Sequence, residues 1–299
     1  MTASSGLREI RGALLGWYAA EHRDFPWRRT RDPYAVLVSE VMLQQTQASR
    51  VAERFPRFLA RFPTVGALAA ASPADVLAEW SGLGYNRRAL TLQRAAVAIA
   101  RDGWPADRAR LERLPGIGPY TARAVASLAY GSAVGVVDTN VRRWLLRRFG
   151  GPDVASRLQS LADALAAPGL GPEVSAWTHA SMEFGAAICR SRAPRCDACP
   201  IAVGCPSRGR AAAVPVPRQA ALRGSDRAYR GALVRALSAV PEREMSESVA
   251  RERLAAGAKR IGPELGDDDW ERVLAGLERD GLLHRSAGRL RLGAATIGS

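Results

Sequence analysis

The four cysteines of this chain, Cys189, Cys196, Cys199 and Cys205, stand in one short run with gaps of six, two and five residues. Cysteines meant as covalent staples in a small secreted chain are spread out, whereas four thiols in one turn-rich loop can converge on a single centre. The chemistry implied is metal ligation by thiolates, through zinc or an iron–sulfur cluster. A four-cysteine zinc site usually pairs its ligands in close Cys-x-x-Cys steps. Only one such step occurs here, so the wider gaps suit the larger cluster better.

A second feature lies upstream, in Leu111-Glu112-Arg113-Leu114-Pro115-Gly116-Ile117-Gly118-Pro119-Tyr120-Thr121-Ala122. A helix is predicted to end at Leu114, the glycines turn the chain, and Pro119 sits where a second helix should start. Gly116 and Gly118 can let backbone N–H groups approach a phosphate, and the following helix N-terminus adds partial positive charge. This is a helix-hairpin-helix signature for gripping a DNA backbone without reading sequence. Shortly after comes Gly135-Val136-Val137-Asp138-Thr139-Asn140-Val141-Arg142-Arg143. Asp138 precedes an amphipathic stretch and is expected to cap it. A carboxylate at a helix N-terminus is expected to keep a low pKa and stay ionised, which suits stabilising a cation that develops at a sugar carbon.

The elements that must hold these groups read as many short helices with almost no strands before residue 210. Leu7, Ile10, Leu14, Leu15 and Tyr18 recur at helical spacing, and Ser72-Pro73-Ala74-Asp75 combines an N-cap, a proline at the first helical position and an acidic first turn. From Ala211 a proline-punctuated stretch marks a linker over 211–224. A small domain over 225–299 follows, with helical patterns near 227–240 and 268–280 and two apolar runs flanking Ala287-Gly288 as in a β-hairpin. Helices followed by a hairpin suggest a winged-helix-like module.

The formal net charge is +14 over 299 residues, and +11 of it lies before residue 216. A basic surplus in the part that carries the motifs points to a polyanionic partner such as nucleic acid. No apolar run approaches membrane-span length, the N-terminus lacks the order of a secretory signal, and four reduced thiols suit a cytoplasm. Lys259 is the chain's one lysine.

Together the hairpin, Asp138 and the four-cysteine loop resemble the helix-hairpin-helix DNA glycosylase superfamily over roughly residues 7–206. Within it, Val38-Ser39-Glu40-Val41-Met42-Leu43-Gln44-Gln45-Thr46-Gln47 resembles the signature helix of the MutY-like adenine DNA glycosylases. The resemblance implies an all-α glycosylase fold over 1–210, with a six-helix subdomain at about 34–132 and a cluster subdomain from 1–33 and 133–210. It implies a [4Fe–4S] cluster on the four cysteines and double-stranded DNA containing a mismatch or oxidised guanine as partner. A monomer associated with a bacterial nucleoid is expected. Read without the resemblance, the helix would be a core helix with Glu40 as a surface charge.

The resemblance also implies roles. Glu40 would protonate the adenine ring and so make it a leaving group, which requires a pKa raised by burial. Asp138 would stabilise the oxocarbenium-like sugar, with Asn140 orienting it and Tyr120 touching the same centre. Bifunctional relatives place a lysine where this chain has Tyr120; with no lysine before Lys259, a monofunctional enzyme is expected. Gln45 and Tyr85, with Leu43 and Thr46 beside them, would fill the space left by an extruded base, and Trp27 and Arg28 would line the adenine pocket. The chain departs from the family at Asn86 and His179, and its C-terminal 84 residues do not read as the Nudix-like domain that longer members use to recognise 8-oxoguanine. A thymine or uracil mismatch glycosylase, or a cluster-bearing DNA-binding regulator, are the other expectations.

Overall fold

The computed structural model describes residues 3–105, 107–167, 172–209 and 221–293; most of the expected linker lies outside them. The chain packs into two compact units. The first takes its described residues from Met1–Glu40, Ala106–Arg113 and Ile117–Arg218, and the second from Val41–Pro105, Leu114–Gly116 and Gln219–Ser299.

The first unit contains α1 (Ala3–Glu21), the start of α2 (Pro33–Leu43), α7 (Arg108–Leu111), α8 (Pro119–Leu128), α9 (Thr139–Phe149), α10 (Ala155–Ala166) and α11 (Pro172–Ala187). Its core joins Ile10 and Leu14 of α1 to Val141, Trp144 and Leu145 of α9, Leu158 and Leu165 of α10, and Trp177 and Phe184 of α11. Trp144 meets Phe184 and Trp177 edge-on at 5.8 and 6.5 Å, and its indole N–H donates to the Ser181 carbonyl at 3.1 Å. Such pairing satisfies the one polar atom of a large buried ring. A Cβ on Gly185 would fall 2.6 Å from the Asn140 carbonyl oxygen, so only glycine lets α11 come this close to the start of α9. The expected subdomain boundary at 132 differs from this arrangement. Helix α8 is rich in small buried residues, Ala122, Ala124 and Ala126 among them, and packs on α11, where Ser127 and Thr178 hydroxyls bond at 2.6 Å.

The second unit holds α3 (Ala48–Arg61), α4 (Val65–Ala70), α5 (Pro73–Trp80) and α6 (Arg87–Asp102), then the C-terminal module of α12 (Asp226–Ser238), β1 (Glu244–Ser246), α13 (Glu247–Ala256), α14 (Ala258–Ile261), α15 (Asp267–Arg279), β2 (Leu283–Ser286) and β3 (Arg289–Leu292). The predicted start of α5 is realised: Ser72 Oγ accepts from Asp75 N at 3.1 Å with Pro73 in the first turn. Phe58, Phe62 and Trp80 form an aromatic core among α3–α6. In the module the strands run antiparallel in the order β1-β3-β2, and Ser286 pairs with Arg289 across the Ala287-Gly288 turn. Both turn residues have positive φ, 48° and 69°, the geometry of a two-residue hairpin turn. This is the expected winged-helix-like arrangement; β1, too short to leave an alternating pattern, was not legible. The module is built onto α5, which α12 and β3 both contact.

Candidate active site

Two helix starts and one helix interior bring the catalytic candidates together. Gly118 caps α8 and Pro119 occupies its first turn, so the hairpin delivers Tyr120 one residue later. Gly116 has φ 72°, and a Cβ there would lie 1.8 Å from Thr91 Cγ2; the turn admits glycine on both counts. Asp138 caps α9 as predicted, accepting from Asn140 N at 2.9 Å, Val141 N at 2.6 Å and Asn140 Nδ2 at 2.7 Å. Glu40 rides on α2, whose Tyr34, Ala35, Val36, Leu37, Val38, Ser39, Val41 and Met42 are all buried. A helix enclosed on this many sides buries its polar residue too, and Glu40 is 4% exposed. The surface-charge reading of Glu40 is therefore corrected.

Burial raises the Glu40 carboxyl from its ordinary 4.5 to about 7; a hydrogen bond from the Tyr120 phenol opposes the rise and the Asp138 charge adds to it. Tyr120 is itself pushed well above the ordinary phenol range by burial and then by the two carboxylates, so it stays a donor. Asp138 departs from expectation. Burial raises its pKa despite the cap, although the bonds from Val141 and Asn140, and the Arg143 charge, all work to lower it. The helix terminus alone would have kept it low; enclosure of the half-buried carboxyl outweighs that effect. The two carboxyls remain unlike in their partners. Asp138 accepts three N–H bonds, each favouring its ionised form, while Glu40 takes its opposing bond from one phenol. Such a pair can divide into a proton donor and an anion.

Asn140 links this centre to the cysteine loop. Arg143, 4% exposed, donates to Asn140 Oδ1 at 2.9 Å, to the Gly185 carbonyl at 2.5 Å and to the Cys189 carbonyl at 2.8 Å. Arg147 donates to the Arg190 and Ser191 carbonyls at 2.6 and 3.1 Å and reaches Cys189 Sγ at 3.6 Å. Cys189, Cys196, Cys199 and Cys205 are free thiols, and all four line one open cavity with Trp144, Phe184 and Ile188. Among the described residues no three His, Cys, Asp or Glu side chains are gathered closely enough to ligate one ion. Thiols ringing a cavity fit a cluster several atoms wide better than a single tetrahedral ion.

Trp27 and Arg28 belong to a further group in the first unit. Trp27, 5% exposed, stacks on Phe25 at 4.7 Å. Arg28 donates to Glu183 Oε2 at 2.6 Å and to the Arg23 carbonyl at 2.6 Å, while Arg23 holds both Glu183 oxygens at 2.5 and 2.9 Å. Burial acts to raise the Glu183 carboxyl, but the bonds from Arg23 and Arg28 outweigh it and hold it below the usual range. His179, one turn before Glu183, is pushed down to about 3, mainly by burial and next by the Arg28 charge, so it is neutral. Glu183 was not singled out from sequence. A carboxylate set between Met182 and Phe184 in the C-terminal half of α11 was the available signal.

In the second unit, Gln45 and Tyr85 both adopt the left-handed region, with φ 55° and 48°. One residue organises both turns. Arg88 donates to the carbonyls of Val41, Met42 and Gln44 at 2.6, 3.0 and 2.6 Å, to Thr46 Oγ1 at 2.9 Å and to the Gly84 carbonyl at 3.0 Å. It thereby satisfies carbonyls left open where α2 ends after Leu43. Sequence reasoning missed Arg88, although a cation in the first turn of α6 opposes the helix dipole and so needs another reason to be there.

The description "HhH-GPD superfamily base excision DNA repair protein" matches residues 38–167. The adenine DNA glycosylase of Mycobacterium tuberculosis is 44% identical over 243 residues, covering 76% of this chain and 77% of that one. The chain belongs to the adenine DNA glycosylases of the helix-hairpin-helix superfamily. The human adenine DNA glycosylase is 42% identical over 219 residues, 67% of this chain and 40% of that one. Among solved structures, a thermostable thymine-DNA glycosylase aligns with a TM-score of 0.64 at 29% identity, over 70% of this chain and 99% of that one. Endonuclease III trapped on DNA aligns at 0.58 and 24% identity, over 70% and 98%, and confirms the glycosylase fold.

Proposed function

We propose that the chain is a base-excision enzyme that hydrolyses the N-glycosidic bond of adenine mispaired with 8-oxoguanine or guanine in duplex DNA. The observation that carries this is the buried Glu40 carboxyl, raised to about 7 beside the N–H-bonded Asp138 carboxyl. Glu40 delivers its proton to the adenine ring, which turns the base into a neutral leaving group. Positive charge then grows at the sugar carbon, and Asp138 stabilises it or bonds to it transiently before water attacks. Asn140 keeps the Asp138 carboxylate in place through its 2.7 Å bond, and Arg143 keeps Asn140 in place. Tyr120 holds Glu40 in position. Trp27 and Arg28 line the base pocket, Arg28 with its charge balanced by Glu183.

The wedge that refills the helix after extrusion is built from Gln45, Tyr85, Leu43 and Thr46, and Gly116 and Gly118 seat a backbone phosphate. With Lys259 the chain's one lysine, outside this region, the enzyme releases base without lysine-dependent strand cleavage. Cys189, Cys196, Cys199 and Cys205 hold a [4Fe–4S] cluster. When bound, that cluster supplies shape, tying down a loop bearing Arg190, Arg192 and Arg195 for phosphate contact. A thymine or uracil target is not favoured, since the relatives at 44 and 42% identity are adenine glycosylases and the thymine glycosylase stands at 29%. The regulator without catalysis is not favoured on the same ground.

The test is a panel of duplexes with A, T or U opposite G and 8-oxoguanine, scored for base loss with and without alkali. Loss confined to adenine, with breaks only after alkali, is the expected result; loss of T or U instead would overturn the proposal.

A further inference from the structure

The C-terminal module reaches the wedge. Arg227, in the first turn of α12, donates through Nη1 to the Tyr85 phenol oxygen at 2.7 Å, across 142 residues of sequence. Its guanidinium also lies 5.5 Å from the Tyr85 ring centre, and that of Arg88 lies 5.6 Å from it. The Tyr85 ring is therefore approached by two cations, one from the glycosylase part and one from the module, and the module's cation also holds its phenol oxygen. A Tyr at φ 48° is in a backbone region costly for a residue with a Cβ, so its geometry needs support from its surroundings.

Other arginines of the module are spent on its own acids. Arg285 pairs with Glu247 and Glu271, Arg289 with Glu244, Arg272 with Asp226 and Asp269, and Arg230 with Asp280. On the wing strands Arg285 and Arg289 are thus neutralised, which leaves Arg291 as the exposed cation of β3 and a small footprint for phosphates. Arg227 differs in what it grips. A cation beside the N-terminus of α12 opposes that helix's dipole, so its place is not explained by helix stability.

We propose that Arg227 is a positioning residue for opposite-base recognition: the C-terminal module sets the preference for adenine opposite 8-oxoguanine over adenine opposite guanine by holding the Tyr85 phenol, not by reading DNA itself. The inference rests on Tyr85 being part of the wedge. It gives the module a role in selectivity although residues 225–299 carry a net charge of only +1.

The experiment measures single-turnover excision by the full-length protein on both duplexes and compares the ratio of rates. Arg227→Ala and Tyr85→Phe should each lower that ratio about three- to tenfold, the factor carried by one hydrogen bond. The double variant should be no worse than either alone, and Arg227→Lys should restore part of the ratio. Arg227→Gln serves where alanine fails to fold. A merely structural role would slow both duplexes alike and leave the ratio unchanged. That outcome, or losses that multiply in the double variant, overturns the inference while a lowered ratio in Tyr85→Ala keeps the wedge reading. An unchanged ratio in Tyr85→Ala overturns the wedge reading itself.

Discussion

Replacing Glu40 by glutamine should stabilise the protein in alkali while abolishing its activity, and the two effects have one cause. Burial costs the ionised carboxylate its hydration, which is why the folded pKa stands near 7 against an ordinary 4.5. The associated stability belongs to the protonated form. It is complete below about 4.5 and is lost as pH rises through about 7, a total of about 3 kcal/mol. Glutamine keeps the shape and can still accept from the Tyr120 phenol, but it never ionises. The gain of Glu40→Gln over wild type should therefore be larger at about pH 8 than at about pH 5, by roughly 2–3 kcal/mol. Urea denaturation of the two cluster-loaded proteins at both pH values measures this. In parallel, single-turnover excision near neutrality should fall about 10²–10⁴-fold, the usual contribution of a general acid, with duplex affinity nearly unchanged. An equal stability difference at both pH values would refute the buried-acid argument, and wild-type excision by the variant would refute the role.

In the wild type, single-turnover excision should decline as pH rises through about 7 if the protonated Glu40 acts as the general acid proposed, and a flat profile there would count against that role. Asp138→Asn should remove excision while keeping duplex binding, since a carboxylate adds no attraction to a polyanion and asparagine can still cap α9; wild-type excision by the variant would leave Asp138 a helix cap alone. Purified protein should contain about four irons per chain, and Cys199→Ser should lose iron and melt earlier; one tightly held zinc would end the cluster assignment. Gly116→Ala should weaken binding to duplexes of any sequence and lower stability by at least about 1 kcal/mol, because its Cβ meets Thr91 and its φ of 72° is strained; calorimetry and a filter-binding titration decide it.

The parts legible in the sequence were those whose physics is local. A thiolate spacing, a glycine turn before a helix proline, an N-cap at Asp138, a cap at Ser72 and the Ala287-Gly288 hairpin each act over a few residues, so chain order alone encodes them. Glu40 could be named from a family resemblance, but its acid strength could not, because that follows from how many sides of α2 are covered. The low pKa expected for Asp138 failed for the same reason: a cap is local and can be read, whereas enclosure is made by elements far apart in the chain and reverses the sign. Arg88, bonded to carbonyls more than 40 residues away, the Glu183 pairing with Arg23 and Arg28 across about 160, and the Arg227 grip on Tyr85 were decided only by tertiary structure. Arginine carries a planar donor array that can satisfy several distant acceptors at once, and which acceptors it meets depends on packing, not on its neighbours in sequence.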